Sequence, residues 1–276
     1  MTAACSLPER LAVLLAKEFS DGEVGFTGLG TGRAAAVYIT GIPLAAMALA
    51  QRTHAPSLTV LLAGWSHNPD LSQLHGLPEL EFDERLRDLP CEAQSIDYPG
   101  HFVLKRGDIS FGFSSGVQVD LQGNLNGVCI GDPSRPDVRL VGPILHPEHM
   151  TLFGREYIMM PHHEARNFVE KVDYVSGVGY PGGLAGRAEL GLHSGGPALV
   201  ITPKCIFNFD REIGRMTVRS IHASVSEAAL RSSTGFELGD LSDVPPTPEP
   251  TEEDLHLLRN VVDPGGHLLP DLDQGE

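Results

Sequence analysis

Several short stretches carry residue types able to do chemistry. Gly28-Leu29-Gly30-Thr31-Gly32 follows a strand-like segment and opens an Ala-rich one, so its backbone N–H groups are placed to meet a phosphate or carboxylate. The same glycines also suit a tight turn with close strand–helix packing, and the residues leave both readings open. A dinucleotide fingerprint fails: Arg33 stands where the third glycine belongs, and no acidic residue follows about 20 positions on. Gly112-Phe113-Ser114-Ser115-Gly116 fits G-x-S-x-G, but that serine needs a helix directly behind it, and the residues that follow alternate as a strand. His146-Pro147-Glu148-His149 and His162-His163-Glu164 lack the H-E-x-x-H spacing that sets two imidazoles on one helix face, so no metal site is expected. Trp65, the only tryptophan, lies between Gly64 and Ser66 just past a strand-like run, and reads either as a pocket edge or as core packing.

The elements that must position these residues follow from periodicity. The segment 57–63 is a continuous apolar run of strand length, the pattern of a parallel strand covered on both faces. Segment 23–27 reads as a strand leading into the glycine loop, and 116–121 as an alternating strand closed by the turn Gln122-Gly123-Asn124. Further strands are expected at 138–141, 157–160, 167–175 and 198–202, with a hairpin of 205–209 and 216–221 and a helix over 224–232. Pro245 to Pro250 cannot be helix interior; Thr251 then caps a short helix with the stripe Leu255, Leu258 and Val262. These signals predict an α/β chain, an open and mostly parallel sheet flanked by helices, over 1–243. Residues 244–276 form a Pro-rich spacer, a terminal helix and a frayed tail.

Composition narrows the function classes. The 276 residues carry 36 Asp+Glu against 20 Lys+Arg, a formal charge of −16, which disfavours a nucleic-acid partner. The four cysteines are scattered without a CxxC, as suits the reducing cytoplasm. The uncharged stretch 34–50 is built from Ala and interrupted by Gly41 and Pro43, so a buried helix explains it better than a membrane span.

Three groups of motifs together resemble the β subunit of class I CoA-transferases, the glutaconate CoA-transferase group. They are Gly28 to Gly32 with Leu49-Ala50-Gln51-Arg52-Thr53-His54-Ala55-Pro56; Gly116-Val117-Gln118-Val119-Asp120 with Gly123-Asn124-Leu125-Asn126; and Phe168 to Ser176 with Gly235-Phe236-Glu237 and the tail through Asp263-Pro264. The resemblance runs in order over almost the whole chain. It implies a CoA-transferase-like fold, a separate α subunit of similar fold, an active site at their interface and an acyl-CoA substrate with no bound cofactor. In that family a β-subunit glutamate attacks the thioester, and by the flanking residues its position here is Ala63, which has no nucleophile. A shifted alignment would recruit Glu79 or Glu81 instead. A second departure is Gly142-Pro143-Ile144-Leu145-His146, where the family has a glycine-rich loop whose N–H groups hold the thioester oxyanion; Pro143 has no N–H. The segment 168–180, with Ser176-Gly177-Val178-Gly179-Tyr180, resembles an actinobacterial steroid-degrading branch that also lacks the glutamate and opens a ring of a CoA thioester by hydrolytic carbon–carbon cleavage. The resemblance thus implies a hydrolase β subunit, with a CoA-transferase or a non-catalytic stabilising β chain as alternatives. It places Gly28, Gly30, Gly64, Trp65, Gln118, Asn126 and Gly142 along the substrate- or CoA-binding site.

Overall fold

A computed structural model describes residues 4–64, 66–80, 83–94, 107–193, 195–270 and 272. The chain divides into two compact units, Met1–Phe113 with Pro248–Glu276, and Ser114–Thr247. The expected α/β class holds: each unit has parallel strands with helices beside them and antiparallel strands at an outer edge.

In the first unit, helix α1 (Leu7–Ala16) starts in a capping box, Ser6 Oγ accepting from Glu9 N–H while the Glu9 carboxylate accepts from Ser6 N–H. Strand β1 (Val24–Thr27) runs parallel to β2 (Thr59–Leu62), in register from Val24↔Thr59 to Thr27↔Leu62, and parallel to β5 (Phe111–Ser114) on its other side. Strands β3 (Ser66–Pro69) and β4 (Cys91–Gln94) continue beyond β2 in antiparallel order. Val60, Leu61 and Leu62 are buried, which is why that segment could be an unbroken apolar run.

Helix α2 (Arg33–Arg52) is long and apolar enough to cross a membrane, yet most of it is buried inside the unit, the pattern of a core helix. Gly41 and Pro43 do not end it. Instead the turn widens into a π segment at Val37–Gly41, with Ile42 N–H donating to Val37 O. Pro43 has no N–H to offer Ile39 O four residues back, and the Thr27 hydroxyl takes that carbonyl instead.

The tail belongs to this unit. Thr251 and Asp254 form a second capping box for the helix Glu252–Leu257, which runs into a π turn at Leu258–Val262. Arg259 meets Glu9 through two contacts, of 2.5 and 2.9 Å; Arg10 pairs with Glu249 at 2.6 Å and Lys17 with Asp254 at 3.2 Å. The segment that follows, read from sequence as frayed, is held in place. Asp263 accepts from the N–H groups of His267, Leu268 and Leu269, and Leu268 is buried.

In the second unit, β6 (Gln118–Asp120) pairs antiparallel with β7 (Leu125–Asn126) and parallel with the two-residue β11 (Phe168–Val169). A small hairpin joins β8 (Cys129–Ile130) to β9 (Val138–Arg139). Helix α3 (His146–Leu152) leads to β10 (Arg155–Met159), which runs parallel to β12 (Pro197–Ile201). The predicted hairpin is present as β13 (Cys205–Asp210) and β14 (Arg215–Ile221), and Ser226 caps a helix at Glu227–Ser232. Val119, Ile158, Phe168, Val200, Phe207 and Leu230 belong to the core of this unit.

Candidate functional site

The candidate residues fall into two groups, one in each unit. In the first unit they sit at the carboxyl ends of β1 and β2, where open α/β sheets bind ligands. Thr27 and Leu62 are register partners and Ala63 N–H donates to Thr27 O at 2.8 Å, so the Gly28 loop and the Ala63-Gly64 turn leave the sheet side by side. Thr40, on the π segment of α2 and 0% exposed, holds the glycine loop: its hydroxyl donates to Gly28 O and accepts from Gly30 N–H, both at 3.2 Å. Gly30 leaves no space for a Cβ, because the Ala35 carbonyl fills it, whereas Gly28 faces open space. Packing therefore explains Gly30, and Gly28 is free to meet a ligand.

Ala63 and Gly64 are both left-handed, with φ of 53° and 73°, a sharp exit from β2 that a non-glycine residue adopts only under strain. Just beyond, the buried Ser66 hydroxyl has no hydrogen-bond partner among the described residues. Trp65 and Glu81 lie outside the described residues. Glu79 is exposed, and its carboxylate accepts from Gly32 N–H at 3.3 Å.

In the second unit Gln118 and Asn126 come together. Gln118 Oε1 accepts from Asn126 Nδ2 at 2.8 Å and from Asp173 N–H at 3.0 Å, and its Nε2 donates to Asp173 at 3.1 Å. Asn126 also donates to Cys129 O and accepts from Val128 N–H, and it is wholly buried. All its polar valences are therefore used inside the chain, holding the β6–β7 turn against the next loop. Gly142, with φ of 118° and open space around it, donates to Gly127 O at 3.2 Å. Behind it Ile144 and Leu145 are left-handed at 42° and 63°, a glycine-like backbone that these two side chains adopt only under strain. His146, at the end of that loop, is bonded through Nδ1 to Ser176 Oγ at 2.8 Å, and Gly127 N–H donates to the same oxygen at 3.0 Å. Burial first, then the nearby charge of His149, pushes the His146 imidazole down to about 3. Ser114 lies in β5, and β6 rather than a helix follows it, which excludes the nucleophile elbow.

Sequence reasoning missed Thr40, Asp173 and the His146–Ser176 pair. Thr40 had a signal: a polar side chain three residues before a proline, inside an otherwise apolar helix. The others are joined only by the fold.

No family model matches the chain. It is 29% identical over 259 residues to the B subunit of glutaconate CoA-transferase from Acidaminococcus fermentans, covering 93% of this chain and 92% of that one. The cholesterol ring-cleaving hydrolase IpdB subunit of Mycobacterium tuberculosis is 33% identical over 151 residues, 53% of this chain and 58% of that one. Among solved structures, glutaconate CoA-transferase of A. fermentans superposes with a TM-score of 0.76 at 28% identity, covering 97% of this chain and 98% of that one. IpdAB of Rhodococcus jostii RHA1 shares the fold at 0.74, with 24% identity and coverage of 96% and 98%. The chain is a homologue of the CoA-transferase B subunits and of the IpdB subunit of the steroid ring-cleaving hydrolase, and it has the CoA-transferase fold.

Proposed function

We infer that this chain is the B subunit of a heteromeric, cytoplasmic enzyme acting on a CoA thioester, and that the reaction is hydrolytic carbon–carbon cleavage rather than CoA transfer. Ala63 carries this reading. It stands at the sharp carboxyl end of β2, where the family resemblance puts the nucleophilic glutamate, and a methyl group cannot form an acyl anhydride. The similarity to the IpdB subunits of ring-cleaving hydrolases supports it, as does the A-and-B composition of the related IpdAB and glutaconate CoA-transferase enzymes. Four unpaired cysteines support the cytoplasmic placement. On this reading Gly28, Gly64 and Gly142 face the substrate. Gly30, Gln118 and Asn126 hold the loops that do so, and a partner subunit of similar fold supplies the reacting side chains.

One observation favours the transferase alternative: the Glu79 carboxylate reaches Gly32 N–H of the glycine loop. The experiment is to co-express the chain with an A-type subunit, supply acyl-CoA thioesters and add hydroxylamine. Incorporation of solvent oxygen into a carbon–carbon cleavage product with no hydroxamate on this chain is the expected result. A hydroxamate on Glu79, lost in Glu79→Gln, overturns the hydrolase reading.

A further inference from the structure

The C-terminal segment and the glycine loop grip the same short piece of backbone. On one side of the π turn Val37–Gly41, Thr27 Oγ bonds Ile39 O and Thr40 Oγ bridges Gly28 O and Gly30 N–H, so the loop takes its shape from this turn. At the last residue of the same turn the Leu268 carbonyl sits where a Cβ of residue 41 would be, which is the reason glycine is needed there. Leu268 is not there by chance packing. Asp263 fixes it by accepting three successive backbone N–H groups, from His267 at 2.7 Å, Leu268 at 3.0 Å and Leu269 at 2.9 Å, and the Leu268 side chain is buried. His267 adds an edge-on ring contact with His75 at 5.7 Å. A π turn has one residue more than the α-helical path requires, and such insertions are frequently found at functional sites.

We propose that Asp263–Leu269 is a positioning element for the substrate-facing glycine loop. It wedges the π turn open from behind, and Thr40 passes that geometry to Gly28 and Gly30. Asp263 and Thr40 touch no substrate and act through the loop. The kinetic consequence rests on the reading that Gly28 meets the CoA thioester, but the mechanical coupling does not.

The test uses the full heteromeric enzyme with Asp263→Asn, Gly41→Ala, Thr40→Val and Thr40→Ser, and reads two quantities. Amide hydrogen exchange over residues 28–36, without substrate, reports the coupling. Asp263→Asn and Gly41→Ala should speed it about tenfold, as Thr40→Val does, and Thr40→Ser should restore it. Steady-state kinetics should then show KM for the acyl-CoA raised about tenfold with kcat within about twofold in the same three variants. Unchanged exchange over 28–36 in both Asp263→Asn and Gly41→Ala overturns the proposal, whatever the thermal stability does. Faster exchange with unaltered KM keeps the coupling and overturns the reading of the loop as a CoA-thioester contact.

Discussion

His146 Nδ1 lies 2.8 Å from Ser176 Oγ, and the two residues are 30 positions apart in the chain. The hydroxyl also accepts from Gly127 N–H at 3.0 Å and donates to Leu125 O at 2.8 Å. With its one proton on Leu125 O, the Ser176 oxygen is left to accept an Nδ1–H from the imidazole. A neutral, tautomer-fixed imidazole joins the Gly142 loop to the Ser-Gly-x-Gly-Tyr loop.

The same burial makes stability depend on pH. His146 and His163 both have imidazoles held down at about 3, burial being the first cause in each; Lys204 and then His222 add to it for His163. The unfolded chain protonates these groups near pH 6.5 and the folded chain does not, so their contribution is complete above 6.5 and is lost as pH falls toward 3. At pH 5 each imidazole should remove about 2 kcal/mol. Urea unfolding at pH 7.5 and pH 5 checks this. His146→Gln should reduce the slope of stability against pH by about one proton's worth; an unchanged slope would show that the imidazole titrates normally.

Arg187 gives a sharper loss. Its side chain is 2% exposed and donates to Val178 O, Gly179 O and Met150 O, with the guanidinium 5.3 Å from the Tyr180 ring centre. Burial lowers its basicity, yet the guanidinium fork serves three carbonyls at once, which a compact ammonium on a shorter reach does not. Arg187→Lys should cost about 3 kcal/mol, seen as a fall in Tm of roughly 6–12 °C. A drop under about 2 °C would mean that the fork is not needed to hold residues 178–179.

What the sequence disclosed and what it hid divide along physical lines. β2 was legible because a strand covered on both faces must be apolar throughout, and Thr251 because a cap needs only three residues of chain. Gln118 and Asn126 were singled out in the sequence as binding-site residues, and in the structure both tie loops together. Their role was not legible, because it depends on Asp173 and Cys129 arriving from elsewhere. Pro43 marked an interruption, but the helix widens there instead of stopping, and the Thr27 hydroxyl that takes the freed Ile39 carbonyl comes from another element. The ordering of 264–269 was hidden for the same reason: Pro264-Gly265-Gly266 reads as loose, and the wrap of Asp263 around the backbone beyond it is a tertiary fact.

Gly28 and Gly30 look alike in sequence and should behave oppositely. A Cβ at Gly30 meets the Ala35 carbonyl, so Gly30→Ala must move backbone and should cost about 2 kcal/mol or more. Gly28 has open space and no left-handed backbone, so Gly28→Ala should leave Tm within about 2 °C. It should still raise KM for the acyl-CoA, because the new methyl occupies the face assigned to substrate. Thermal melts paired with kinetics decide the matter. Full affinity in Gly28→Ala would return the loop to a purely structural role.

Ala63 separates strain from chemistry. At φ of 53° it sits in a region that penalises a Cβ by about 1 kcal/mol, and Gly64 beside it carries the same sign of φ without penalty. Ala63→Gly should therefore raise stability by up to about 1 kcal/mol in urea titration, less whatever the freer unfolded chain takes back. Turnover should stay within about twofold, because a methyl contributes no reacting group. Ala63→Glu provides the opposite test. It places a carboxylate at the end of β2, and if that turn faces the thioester the variant should form a hydroxylamine-sensitive acyl adduct that the natural chain does not. An adduct on the introduced carboxylate, joined to reduced cleavage activity, would locate the acyl carbon at this turn. No adduct, with cleavage unchanged, would place the substrate away from β2 and leave the strained turn without a role in binding.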